Sequence, residues 1–301
     1  MTKRAAICFS GQPRISYEAI NKLVDNVLNP LYDNGYEIDI FMHFWNEVTE
    51  SGAIQKSKNK LGNAAEYGIN EKEIPNAFQT FLRRFSPKKK TIETKLKKED
   101  FVLGNFRHAQ TNSAYNYNSQ YHSVKKSHDL CREYEIENNF RYDFVARART
   151  DLSILNPLDY EELCKEAICV PKFPGHHCNM IKEEIMHMIE DESRLKTLNS
   201  YAASINVTLS EFVNRMLLGH TFDETKICND QFIISSSENM YKISRLIDYM
   251  EKEINTPTSR IHQEMISPDG IGLERILWIY IQTFSKIKKL NLKTRIEGSY
   301  P

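Results

Sequence analysis

Four short stretches carry the side chains of this chain best suited to chemistry: Ser10-Gly11-Gln12-Pro13-Arg14, His43-Phe44-Trp45-Asn46, Arg147-Ala148-Arg149-Thr150-Asp151 and Asn229-Asp230-Gln231. The first offers a hydroxyl, a glycine that lets backbone approach a ligand, an amide that donates and accepts, and a guanidinium able to grip a phosphate with two bonds. It lacks the G-K-[ST] of a P-loop and the G-x-G-x-x-G of a dinucleotide site, so neither an ATPase nor a dehydrogenase is supported. A plain turn in which Pro13 opens a helix is the alternative, but a turn needs neither Gln12 nor Arg14.

On an extended segment Arg147, Arg149 and Asp151 fall at alternate positions and share one side. Two cations and one carboxylate on a buried strand are costly unless paired or liganded. A salt-bridge network would absorb one arginine; a bound pyrophosphate or sugar acid would cancel the remaining positive charge. Asp230, entering a strand, is either a cap or a general base for a sugar hydroxyl. His43, at a strand end beside Trp45, is either a base or a hydrogen-bonded structural group. Gly175-His176-His177-Cys178-Asn179 holds imidazole and thiolate, but adjacent residues rarely make a whole zinc site, and the stretch suits a pocket-lining loop better.

These side chains need a frame, and hydrophobic patterning supplies one. Arg4–Phe9 and Ile38–Trp45 are apolar at nearly every position, the mark of strands in a parallel sheet covered on both faces. Between them Ile20, Leu23, Val24, Val27 and Leu28 recur at helical spacing, and Asn34-Gly35 is a helix stop. A second helix-to-strand unit follows, with a helix over about 112–137 (Tyr117, Tyr121, Val124, His128, Cys131 and Tyr134 on one face) and a strand beginning near Phe144. Further strands are expected at Ala167–Pro171 and Gln231–Ser236, then a helix through Met240 to Met250 with Ser235 and Glu238 as a capping box, and a final helix over about 272–284 before a polar tail. The lysine-rich residues 46–100 read as an excursion of short helices and loops, with Lys88-Lys89-Lys90 a solvated surface, and residues 182–222 read as a helical insertion. The expected fold is α/β, a single domain over 1–301 with a mostly parallel sheet and helices on both faces.

Composition narrows the partners. The chain has 301 residues, 41% hydrophobic and 27% charged, enough for a substantial core. Forty basic and forty acidic residues cancel, so no global field draws it to nucleic acid or an anionic membrane. The apolar run Ile276–Ile281 is far short of a membrane span, and Ala5–Phe9 is too short for a secretion signal. Six scattered cysteines suit reduced thiols; together these features predict a cytoplasmic protein with a small-molecule ligand.

In order along the chain, Ser10 to Arg14, Asp39 to Trp45, Ser119-Gln120-Tyr121-His122-Ser123-Val124-Lys125, Tyr142-Asp143, Arg147 to Leu152 and Asn229 to Phe232 resemble the motif series of a family of nucleotide-sugar glycosyltransferases from bacteria and large DNA viruses. The resemblance implies a Rossmann-like fold of the GT-A type and transfer of a sugar from a nucleoside-diphosphate donor to a glycan or glycolipid. On that reading Ser10, Gly11, Gln12 and Arg14 contact the nucleotide, Gln120 and Ser123 wall its pocket, and Asp151 occupies the D-x-D region that would hold Mn²⁺ or Mg²⁺. From their own chemistry His43, Trp45, Arg147 and Arg149 are further candidate donor contacts, and Asp151 and Asp230 the catalytic candidates, Asp230 as the base if the reaction inverts. The chain departs from that pattern: no D-x-D occurs, and Ser153 stands two residues beyond Asp151. A divalent ion needs several oxygens; without it, Arg14, Arg147 and Arg149 would have to stabilise the departing diphosphate. A nucleotide-sugar binding protein without turnover, and a sugar nucleotidyltransferase, are the competing readings.

Overall fold

A computed structural model describes residues 2–12, 16–46, 55–58, 64–67, 82–83, 86–94, 96–97, 100, 111–172, 195–196, 199–200, 203, 208–210, 228–262 and 273–296. The chain divides into two compact units, Met1–Lys172 with Cys228–Pro301, and Phe173–Ile227. The second contains the segment expected as a helical insertion.

The chain opens with β1 (Lys3–Gly11), then α1 (Tyr17–Leu23), a π-helical turn (Val24–Leu28) and α2 (Asn29–Asp33), and β2 (Tyr36–Asn46). Ser16 caps α1, its side-chain oxygen accepting the Ala19 N–H at 3.3 Å; Pro13, the alternative helix opening, lies outside the described residues. The π turn has a local cause. Pro30 has no N–H to give the carbonyl of Asn26, and that carbonyl accepts the Leu158 N–H instead, at 2.7 Å. Gly35, at φ +81°, ends the helix as expected.

Strands β3 (Gln55–Lys58), β4 (Ala64–Tyr67) and β5 (Lys89–Thr94) fall within the segment read as helices and loops. Then come α3 (Thr111–Glu137), β6 (Phe144–Ala148), β7 (Leu152–Ile154), β8 (Ala167–Pro171), β9 (Phe232–Ser235), α4 (Ser237–Ser244), α5 (Leu246–Ile254), α6 (Leu273–Gln282), β10 (Lys286–Leu290) and β11 (Thr294–Ile296). β10 and β11 lie where a polar tail was expected. Ser236, not Ser235, caps α4, and Ser235 donates to the Ala167 carbonyl at 2.6 Å, so the expected capping box does not form.

The main sheet has seven strands in the order β5-β2-β1-β6-β9-β8-β10. All its pairings are parallel except those of β9, which runs against both β6 and β8. The result is a mixed, mostly parallel α/β sheet. Its two faces are both buried, which explains the unbroken apolar runs. Ala5, Ile7 and Phe9 pack with Leu23, Val27, Leu28 and Leu31 on one side. Ala6 and Cys8 pack with Tyr121, Val124, Cys131, Met240, Leu246 and Ile276 on the other. The outer strands carry Lys89, Lys90, Lys286, Lys288 and Lys289, charges that discourage pairing with another sheet edge. Two of the Lys88-Lys90 run are also paired, Lys88 with Asp39 at 3.4 Å and Lys89 with Glu137 at 2.6 Å. Among the described residues no helix is long and apolar enough to cross a membrane.

Tyr142 and Asp143 belong to the frame rather than to a site. The Tyr142 hydroxyl donates to Asp39 at 2.7 Å, and Asp143 accepts the Arg4 N–H at 2.9 Å and Lys165 at 2.5 Å, fixing the start of β6 beside β1 and β2.

One buried group on α3 makes the fold sensitive to acid. His128 Nδ1 donates to the Val124 carbonyl at 2.9 Å, and its Nε2 has no hydrogen-bond partner among the described residues. Burial lowers its pKa to about 4, with Arg147 and Arg245 adding to the effect. A depressed imidazole is neutral and harmless above the unfolded value near 6.5, and its contribution is lost as pH falls towards the folded value. Urea unfolding of wild type and His128→Leu is expected to show a wild-type loss of about 3 kcal/mol between pH 7 and 4 that the variant lacks.

Candidate functional site

In an open α/β sheet the crevice for a ligand forms beyond the carboxyl ends of the strands, where successive connections leave to opposite sides. Here the chain runs from β1 outward through β2 to β5, then returns to place β6 on the other flank of β1, so the switch lies between β1 and β6. A cleft of about 450 Å³ opens there, lined by Ser10, Gly11, Gln12, Trp45, Ser119, Gln120, Arg147, Arg149, Thr150 and Asp151.

The lining is assembled from four elements. Register places Cys8 beside Arg147 and Gly11 beside Phe44, so the ends of β1, β2 and β6 reach the same level. Gly11 sits at φ +103°, a conformation that side-chain-bearing residues rarely adopt, and turns the chain out of β1. Its N–H donates to Ser123 Oγ of α3 at 2.6 Å. The Ser16 N–H donates to the Thr150 carbonyl at 3.4 Å, joining the chain beyond β1 to the turn after β6.

Charge in the cleft is matched. Arg149 makes two bonds to Asp151, Nε to Oδ1 at 2.8 Å and a terminal nitrogen to Oδ2 at 2.7 Å. Burial pulls the Arg149 pKa down, and the Asp151 carboxylate more than offsets it, so the guanidinium stays charged. Arg147 is buried, lies over the Tyr121 ring at 5.5 Å, and donates to Asp230 Oδ2 at 3.4 Å. Gln120 donates to the same oxygen at 2.5 Å. The sequence argument for a positive surplus, two arginines against Asp151 alone, therefore does not hold for these residues, because Asp230 supplies the second carboxylate.

Asp230 reaches this place through the reversal of β9. Its strand pairs Phe232 with Ala148, so the residues before β9 stand at the carboxyl end of β6. Asp230 is not among the cleft's lining residues; it stands directly behind Gln120 and Arg147. Its Oδ1 receives no hydrogen bond among the described residues, whereas both Asp151 oxygens are taken by Arg149.

His43 and Ser123, expected as ligand contacts, do not line the cleft. Both are fully buried, with His43 Nδ1 at 2.7 Å from Ser123 Oγ and Nε2 at 2.5 Å from Glu93 of β5. Serine, imidazole and carboxylate in a row have the connectivity of an activated nucleophile. Here, though, the serine oxygen is sealed inside the protein and already accepts the Gly11 N–H, so the row acts as a strut beneath the loop.

Thus Ser10, Gly11, Gln12, Trp45, Gln120, Arg147, Arg149 and Asp151 come together as the sequence suggested, and Asp230 stands beside them. Arg14 and Gly175–Asn179 lie outside the described residues. Ser119, Thr150 and Glu93 were missed. Thr150 lies inside a motif already singled out, and Ser119 precedes Gln120 on the helix. Glu93 was hidden in a lysine-rich segment whose strand signal is only Thr91, Ile92 and Thr94.

Ser10 Oγ, Trp45 Nε1 and Arg147 Nε are buried and have no hydrogen-bond partner among the described residues. Buried polar atoms are normally paired, and these three belong to residues that line the cleft. Among the described residues no cluster of three or more His, Cys, Asp or Glu could seat a metal ion. Both Asp151 oxygens, in the region expected to hold Mn²⁺ or Mg²⁺, bond to Arg149.

Two substitutions test the geometry. Gly11→Ala is expected to lower stability by about 1–3 kcal/mol through its positive φ alone, since an added methyl would meet open space. Asp230→Ala, which leaves Arg147 buried without its carboxylate, is expected to cost about 3–5 kcal/mol in the same denaturation measurement. No protein-family model matches the chain, and no curated protein matches it either.

Proposed function

We propose that the chain is a glycosyltransferase that moves a sugar from a nucleoside-diphosphate donor to a glycan or glycolipid acceptor, with the β1–β6 cleft as the donor site. The observation that carries this reading is convergence: residues 10–12 and 147–151, distant in sequence, line one cleft at the switch point, with Asp230 directly behind it. The order β5-β2-β1-β6 also follows the first four places of the 3-2-1-4-5-6 doubly wound order, which favours a Rossmann-like, GT-A-like assignment.

In the proposed reaction the acceptor oxygen bonds to the anomeric carbon as the bond to the diphosphate oxygen breaks. Charge grows on the leaving group, and Arg147 and Arg149 aim hydrogen bonds at it from fixed positions, each held by a carboxylate, so no reorganisation is needed as it develops. Ser10, Gly11 and Gln12 meet the donor, with Ser119 and Gln120 walling its pocket. In an inverting reaction the acceptor's proton goes to Asp230 Oδ1, the oxygen left open while Oδ2 is tethered. In a retaining reaction Asp230 orients Gln120 and Arg147 only.

Purified protein should release the nucleotide from one member of a panel of UDP-, GDP-, CMP- and dTDP-sugars. Asp230→Asn, which keeps the shape but loses both the base and the charge that holds Arg147, is expected to lower kcat about 10²–10⁴-fold if the reaction inverts, with a smaller loss of donor affinity through Arg147. Tight donor binding with no release, acceptors included, would make the chain a binding protein; pyrophosphate made from a nucleoside triphosphate would make it a nucleotidyltransferase.

A further inference from the structure

We propose that Glu93 is a positioning residue for the cleft: by keeping the proton of buried His43 on Nε2, it commits the Ser123 hydroxyl to Nδ1 and leaves the Ser123 oxygen to hold the Gly11 N–H. The inference rests on the reading of the cleft as a ligand site, but its chemistry stands on four contacts that involve no ligand.

The row crosses three sheet strands and one helix. Glu93 lies opposite Trp45 in the β2–β5 register, so its carboxylate flanks the cleft's aromatic wall from the outer strand. A carboxylate only accepts, so at 2.5 Å it requires the His43 proton on Nε2. Nδ1 then has a lone pair, and Ser123 at 2.7 Å donates to it. The Ser123 oxygen keeps its lone pairs for the Gly11 N–H at 2.6 Å. Burial lowers the His43 pKa more than Glu93 raises it, which keeps the ring neutral at pH 7. Burial raises Glu93, and the bond from His43 together with the neighbouring His43, Lys126 and His122 groups outweighs it, which holds the carboxyl below its ordinary range.

The other charged and titratable groups around the pair are Lys126, 4.0 Å from Glu93, and His122, whose ring centroid is 6.4 Å from that of His43. Lys126 disfavours a charged His43 and burial keeps His122 below its ordinary range, so neither competes as the acceptor that fixes the proton.

Without the Glu93 acceptor nothing holds the proton on Nε2. It moves to Nδ1 and points at Ser123, and the Ser123 hydroxyl, already 3.0 Å from the His43 carbonyl, gives its proton to that oxygen alone. The serine oxygen then divides its two lone pairs between two N–H groups and loses the polarisation that donation to Nδ1 gave it, which weakens the Gly11 bond. Gly11 is where that matters, because a backbone at φ +103° persists only when its surroundings over-determine it. A carboxylate at the rim of the sheet thereby reaches the ligand loop without touching the ligand.

The test uses ¹⁵N-labelled full chain. In wild type at pH 7, long-range ¹H–¹⁵N spectra should show His43 as the neutral Nε2–H tautomer. Glu93→Leu should switch it to Nδ1–H, speed Gly11 amide exchange about tenfold, and raise the donor KM about 3–10-fold with little change in kcat. Glu93→Gln keeps an acceptor and should restore all three. A wild-type Nδ1–H tautomer, a switched tautomer with unchanged Gly11 exchange, or a fall in kcat at constant KM would overturn the proposal. Should Glu93→Leu fail to fold, Ser123→Ala takes its place: Gly11 exchange must still accelerate, and unchanged exchange would overturn it. If no donor is turned over, the transferase reading fails, while the tautomer and exchange results still decide the role of Glu93.

Discussion

A buried arginine in the middle of the sheet is the constraint around which the site is arranged. Arg147 alternates with Ala146 and Ala148 on a central strand and is almost wholly enclosed. A guanidinium there is tolerable only with a carboxylate beside it. The nearest parallel strand cannot supply that carboxylate from its beginning, because a parallel neighbour of β6 would start at the opposite edge. Reversing β9 brings Asp230 to the right end. The single antiparallel strand in the sheet and the placement of the ion pair are thus one fact.

From that pair the cleft is built in layers. Gln120 shares Asp230 with Arg147, which ties α3 to β6; Ser123, one helical turn further, ties α3 to Gly11. His43 and Glu93 carry the same connection out through β2 to the sheet edge. On the other side, Arg149 and Asp151 close the turn after β6, and Thr150 anchors the chain beyond the first loop. Such rigid support suits a site that must present fixed dipoles to a polar ligand, because dipoles already in place cost nothing to orient.

Much of this is legible in the sequence, and what is not has a physical reason. β1, β2 and α3 announce themselves because sheet and helix burial impose long apolar patterns, and Gly35 because a helix stop needs a positive φ. The motif residues at 10–12, 120 and 147–151 were also visible, since polar groups following buried strands have few structural uses. A strand's direction, however, is decided by its neighbours, so Asp230 could be seen as a carboxylate but not as the partner of Arg147. The outer strands β5 and β10 were lost because edge strands wear lysines and need no continuous apolar run. His43 and Ser123 have the residue types of ligand contacts, but burial, which sequence does not report, makes them supports.

The most direct measurement is a titration of the ¹⁵N-labelled chain with nucleoside-diphosphate sugars, followed by backbone amide shifts. A donor bound as described should move the amides of Gly11, Gln12, Ser119, Gln120, Thr150 and Asp151 first and most. Shifts centred away from the carboxyl ends of β1 and β6, or none with any donor, would contradict the placement of the site.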